Sequence, residues 1–130
     1  MERHSFRGEF FLRDFHDLKV WGKAHELALV SYKATASFPR GELHCLTSQI
    51  RRAAVSIAGN ISEGCGKDSE ADFGRYLQTA MGSASELQYY WLLARDLGYL
   101  GEQDYSSLED RVAEVKKMLV ALIRKLTADS

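Results

Sequence analysis

Residues 47–66, TSQIRRAAVSIAGNISEGCG, carry two stripes on one helix where most helices carry one. Counting from the preceding residue, Leu46, Ile50, Ala53, Ile57 and Ile61 recur at the three-and-four spacing that lines a helix's core face. At about 100° per residue, Gln49, Arg52, Ser56, Asn60 and Glu63 fall beside them within roughly a quarter of the circumference. A solvated face seldom collects amides and mixed charges while excluding Lys, so this stripe reads as a hydrogen-bonded seam against another helix or another subunit. Thr47 is placed to cap the helix through its hydroxyl, and Gly64 and Gly66 tolerate a left-handed ending.

The same periodicity recurs three more times. Val20, Ala24, Leu27, Ser31, Ala34 and Phe38 define a first helix closed by Pro39, which a helix interior does not accept. Ser69 with Asp72 resembles a capping box, after which Phe73, Leu77, Ala80, Ala84, Leu87, Trp91 and Ala94 continue a long third helix up to Gly98. The fourth starts near Gly101, has Glu102 and Asp104 in its first turn, and places Leu108, Val112, Val115, Leu119, Leu122 and Leu126 in register. Arg124 and Lys125 complement the dipole at its end. Connections of about eight, two to three, and three residues make sequential helices antiparallel neighbours. The fold predicted is all-α, an antiparallel up-down-up-down four-helix bundle over residues 18–128. Residues 1–17 stand apart as an N-terminal arm, disordered or docked, with docking favoured because exposed Phe6, Phe10, Phe11 and Phe15 would be unusual.

A chain of 130 residues with 45% hydrophobic and 27% charged residues is long enough for one domain with its own core. No apolar run approaches membrane-spanning length, and the charged N-terminus does not read as a signal peptide, so a cytoplasmic protein without membrane contact is expected. Cys45 and Cys65, bracketing one helix, would lie roughly 30 Å apart, far beyond disulfide reach. Both are expected as free thiols.

Catalytic chemistry finds little support. A di-metal bundle needs Glu-x-x-His pairs, and no Glu here has a His three residues later. His44 beside Cys45 is half a zinc site with no second pair. Cys65 falls at a helix end whose dipole opposes a thiolate, and the serines lack a strand-turn-helix elbow. The run Ala80, Gly82, Ser83, Ala84 reads as close helix approach and not as a phosphate cradle. No cofactor, metal or enzymatic activity is expected. Arg52 is instead expected within ion-pair reach of Glu63 or Glu86, with Ser83 completing the seam from the third helix. Removing Arg52 from a well-buried pair of this kind would cost on the order of 3 kcal/mol.

Charge and apolar patterning point to partners. The net charge is −1, but residues 18–40 carry four Lys or Arg against one acidic residue and residues 47–67 three against one, whereas residues 68–97 carry two against five. A nucleic acid would therefore bind through Lys19, Lys23, Arg51 and Lys67, with Trp21, Tyr32 or His25 adding stacking. In the third helix, ELQYYWLL (residues 86–93) is apolar around most of its circumference, and Leu29 lies opposite the first helix's core stripe. Leu29, Tyr89, Tyr90 and Leu93 are accordingly expected at an interface with a second subunit.

The segments DLKVWGKAHELAL, SFPRGELHCLTSQIRRAAVSIAGNISEGCGK and FGRYLQTAMGSASELQYYWLLARDLGYL resemble the 23S rRNA-intervening sequence proteins, a four-helix bundle family. The motif SQIRRAAVSI followed by NISEG is specific to it. The resemblance covers roughly residues 17–126 and implies a homopentamer without assigned enzymatic activity. It extends to the accessory proteins of diversity-generating retroelements, strongly basic pentamers that engage a reverse transcriptase and nucleic acid. The expected function is a non-enzymatic oligomeric bundle acting as an interaction scaffold. The alternative is a nucleic-acid-binding accessory factor acting on RNA or DNA, in association with a reverse transcriptase or ribosomal RNA.

Overall fold

Four amphipathic stripes of similar length bury one another when their helices stand side by side, and this is the arrangement adopted. The computed structural model describes residues 13–128, which form α1 (Lys19–Thr35), α2 (Leu46–Cys65), α3 (Glu70–Asp96) and α4 (Glu102–Ala128). Short 3-10 turns, Phe15–Asp17 and Arg40–Glu42, precede α1 and α2. Helix α1 packs on α2 and α4, α2 on α3, and α3 on α4; α2 and α4 stand diagonally and do not meet. The chain is thus the up-down-up-down four-helix bundle that the periodicity predicts.

The core is the set of stripes read from the sequence. Ile50, Ile57, Ile61, Phe73, Leu77, Leu87, Trp91, Val112 and Leu119 have no solvent exposure, and Leu122 and Leu126 pack against this cluster from the end of α4. Helices α2 and α3 share the most extensive interface. Small residues explain the closeness: Ala53, Ala80 and Ala84 face the core, and a Cβ added at Gly64 would stand 2.9 Å from Tyr76 Cβ.

Helix ends differ from expectation at three places. Thr47 does not cap α2, because the helix begins a residue earlier and buries Thr47 in its first turn. Glu42 caps it instead: the Arg40–Glu42 turn brings its carboxylate to the Leu46 amide at 3.2 Å. Gly66 ends α2 with φ −86°, so no left-handed cap forms there, and among the described residues only Gly98, after α3, has positive φ, at 84°. Helix α1 ends at Thr35, short of Pro39, where the Ser31 and Thr35 hydroxyls donate to the carbonyls of Leu27 and Ser31. Ser69 caps α3 as predicted, accepting from the Asp72 amide at 3.1 Å.

The two ends of the bundle are tied separately. At one, the Tyr99 hydroxyl donates to Glu42 Oε2 at 2.7 Å and the Tyr99 ring lies 5.4 Å from that of Phe38, joining the α3–α4 and α1–α2 connections. At the other, the Arg13 amide donates to the Cys65 carbonyl at 3.3 Å, its guanidinium stands 4.0 Å over the Phe73 ring, and it pairs with Glu70. Phe15 packs on the core cluster beside Trp21, whose ring stacks on His25. The C-terminal part of the arm, residues 13–17, is therefore docked; Phe6, Phe10 and Phe11 lie outside the described residues.

Candidate functional site

The polar stripe of α2 does form a seam, though not the one expected. Ser56 Oγ and Ser83 Oγ lie 2.8 Å apart across the α2–α3 interface, and the Asn60 amide donates to Ser56 Oγ and to the Ser56 carbonyl. Only hydroxyls are short enough to meet where two helices come this close. Arg52 donates to Gln49 on its own helix, one turn away, and Glu86 accepts from the Tyr90 hydroxyl at 3.0 Å. No ion pair joins Arg52 to Glu63 or Glu86 among the described residues, because all three side chains sit on the solvent side of the seam. The cost of about 3 kcal/mol argued for a well-buried pair does not apply to an exposed arginine.

Arg52 draws the Tyr90 phenol downward in pKa, but burial first, and the hydrogen bond to Glu86 second, prevail and hold it above its ordinary value. Tyr90 and Leu93, expected at an interface, are packed partly against the bundle's own core. Tyr89, its ring 6.0 Å from that of Tyr90, is 56% exposed, and Leu29 on α1 is 59% exposed. Tyr32, Leu43, His44, Arg51, Arg52 and Val55 border a groove of about 620 Å³ over α1 and α2. Tyr32, Leu43 and Val55 are each about half exposed. The sequence reading passed over Leu43 and Val55; the signal was an apolar residue outside the Leu46–Ile61 stripe, which a single valine or leucine states weakly.

The four cations singled out for nucleic acid are not all brought together, although Lys19 and Lys23 lie one turn apart on α1. Arg51 lies at the far end of the bundle from Lys19, where its Nε donates to Thr35 Oγ1 at 2.9 Å and its guanidinium covers the Tyr32 ring at 4.7 Å. Lys23 pairs with Glu114 at 3.7 Å, and Lys67 stands 5.1 Å over the Tyr76 ring. Lys19 lies instead beside the end of α4. A denser basic stretch went uncounted: residues 111–128 carry five Lys or Arg against one acidic residue.

For catalysis the surface offers little. Among the described residues no group of three or more His, Cys, Asp or Glu could hold a metal ion. Cys45 is exposed and Cys65 buried, and no disulfide joins them. No helix of the described residues is long and apolar enough to cross a membrane.

Known proteins match this arrangement. The 23S rRNA-intervening sequence protein family matches residues 16–121. Among solved structures, the chain is similar to a protein of unknown function from the S23 ribosomal protein family of Bacteroides thetaiotaomicron VPI-5482. Identity is 29% over 80% of this chain and 97% of that one, with a TM-score of 0.73. No curated protein matches. The motif-bearing α2 and the long α3 both fall wholly within the matched residues, and the chain belongs to the 23S rRNA-intervening sequence protein family.

Proposed function

We propose that this protein is a non-enzymatic bundle that assembles with copies of itself and serves as an interaction scaffold. The carrying observation is the groove over α1 and α2 bordered by half-exposed Tyr32, Leu43 and Val55 with Arg52, together with the exposed Leu29 and Tyr89. A folded single chain has no use for half-exposed Tyr32, Leu43 and Val55 around one groove; a second subunit covers them. The polar groups among them, Gln49, Asn60, Glu63 and Glu86, give such a contact its register. Surfaces from different helices meeting head to tail close into a ring, and five is the number the family resemblance implies. Light scattering at micromolar concentration tests this reading: a pentamer is expected, another oligomer corrects the number, and a monomer overturns the proposal.

The nucleic-acid alternative has less support, since Arg51, Lys23 and Lys67 are engaged within the chain and Arg51 lies at the other end of the bundle from Lys19. Gel-shift titrations with RNA and DNA at low salt are expected to show no shift that depends on these four residues.

A further inference from the structure

Helix α4 is divided by charge. Residues 102–110 hold four acidic residues and no basic one, and residues 111–128 hold five Lys or Arg against one acidic residue. A last-turn cation complements the helix dipole, but Lys116 and Lys117 lie about three turns before the end, where that effect has faded. They border a channel of about 480 Å³ between α3 and α4. Met81 from α3 with Ala113 and Val120 from α4 form its apolar floor, and Lys116, Lys117 and Arg124 form its rim. Among the described residues no acidic one lines it.

The rim is divided between a fixed cation and free ones. Lys116 Nζ donates to Gln88 Oε1 at 2.9 Å, and Gln88 Nε2 donates to Glu109 Oε2 at 2.6 Å, a relay that pins α3 to α4. Lys117 and Arg124 are exposed and make no ion pair or hydrogen bond among the described residues. They are seven residues apart, about 10 Å along one side of the channel. On the other flank of α4, Lys19 and Lys125 border a second depression, floored by Met118 and Leu122. Helix α4 stands diagonally from α2, so this surface is separate from the α2-centred one.

We propose that the α3–α4 channel is a docking site for an acidic amphipathic helix of a partner protein. The apolar floor between two antiparallel helices takes a third helix's apolar stripe, with Ala113 letting it approach closely. The rim cations then meet carboxylates flanking that stripe, two turns apart. The other polyanions match the surface less well. A nucleic-acid backbone makes no use of an apolar floor, and no aromatic side chain lines the channel for a base to stack on. An anionic membrane needs bulky apolar side chains to insert, and the large exposed ones among the described residues, Leu29, Tyr32, Leu43, Val55, Tyr89 and Leu97, all lie elsewhere.

The test titrates the full-length protein against a labelled synthetic peptide of about 18 residues, long enough to hold a helix, with Leu at core positions and Glu flanking them. Anisotropy is expected to report saturable binding that falls at least tenfold in the Lys117→Glu, Arg124→Glu double variant. Both residues are exposed and unpaired, so an unchanged circular dichroism spectrum is expected of the variant. Equal affinity for a scrambled peptide of the same composition would reduce the site to bare charge attraction and overturn the proposal. So would the absence of binding at hundreds of micromolar peptide, or tighter charge-dependent binding of single-stranded RNA or phosphatidylglycerol vesicles. A changed oligomeric state of the double variant would make the occupant a second copy of this chain, and would likewise overturn it.

Discussion

Two glycines separate backbone entropy from packing. At Gly64 an added Cβ meets Tyr76 Cβ at 2.9 Å and Phe73 Cδ1 at 3.1 Å; the first is anchored directly to the α3 backbone and cannot swing away. Overpacking of this kind costs about 1–3 kcal/mol, more than the 0.5–1 kcal/mol or so that alanine gains over glycine in a helix. Gly64→Ala is therefore expected to lower the unfolding free energy in denaturant titration. Gly22, inside α1 with nothing within 4 Å of its added Cβ, is the control: Gly22→Ala is expected to raise stability by about 0.5–1 kcal/mol. The same distinction holds in the seam. Ser83→Ala removes the one hydroxyl that reaches Ser56 across α2 and α3 and is expected to cost about 1 kcal/mol, a small fall in midpoint with the fold intact.

At the level of elements, one carboxylate serves two connections. Glu42 accepts from the Leu46 amide at the start of α2 and from the Tyr99 hydroxyl beyond α3, so the bundle's two neighbouring loops hold each other in place. The hydrogen bond to Glu42, foremost, and then burial hold the Tyr99 phenol above its ordinary value of 10.0. A phenol that keeps its proton longer in the folded state than in the unfolded one adds stability that is full below the ordinary value and is lost as pH rises through the higher folded value. Tyr99→Phe is therefore expected to lower the melting temperature at pH 8, with the difference from the parent protein shrinking above about pH 10. An unchanged melting temperature at pH 8 would show that the two loops do not depend on this bond.

At the scale of the molecule, the bundle is closed inside and unfinished outside. Its core stripes are fully covered by one another, whereas Val55 and Tyr89, both about half exposed, contribute little to a single chain's stability. Val55→Glu with Tyr89→Glu is thus expected to convert the proposed assembly to smaller species in light scattering while leaving helical content unchanged. Interfaces larger than roughly 1,000 Å² tolerate few buried charges, so two per subunit suffice to open them. Loss of helical content along with assembly would instead place these residues in the fold itself.

The sequence by itself determined the architecture. Helical periodicity is a local property, so Ile50 to Ile61, Phe73 to Ala94 and Leu108 to Leu119 announce their core faces without any neighbour being known, and short connections leave sequential helices little choice but to pack antiparallel. The motif in α2 was equally legible and named the family that the chain proved to belong to. Side-chain partners were not legible, because they depend on distances between helices that no spacing along one helix encodes. Arg52 bonds to Gln49 and not to a carboxylate, Glu42 rather than Thr47 caps α2, and Arg51 lies at the other end of the bundle from Lys19. Only the tertiary structure decided those pairings, and only it set the lysines and arginine of α4 around an apolar channel, since a channel belongs to the space between two helices and to neither helix alone.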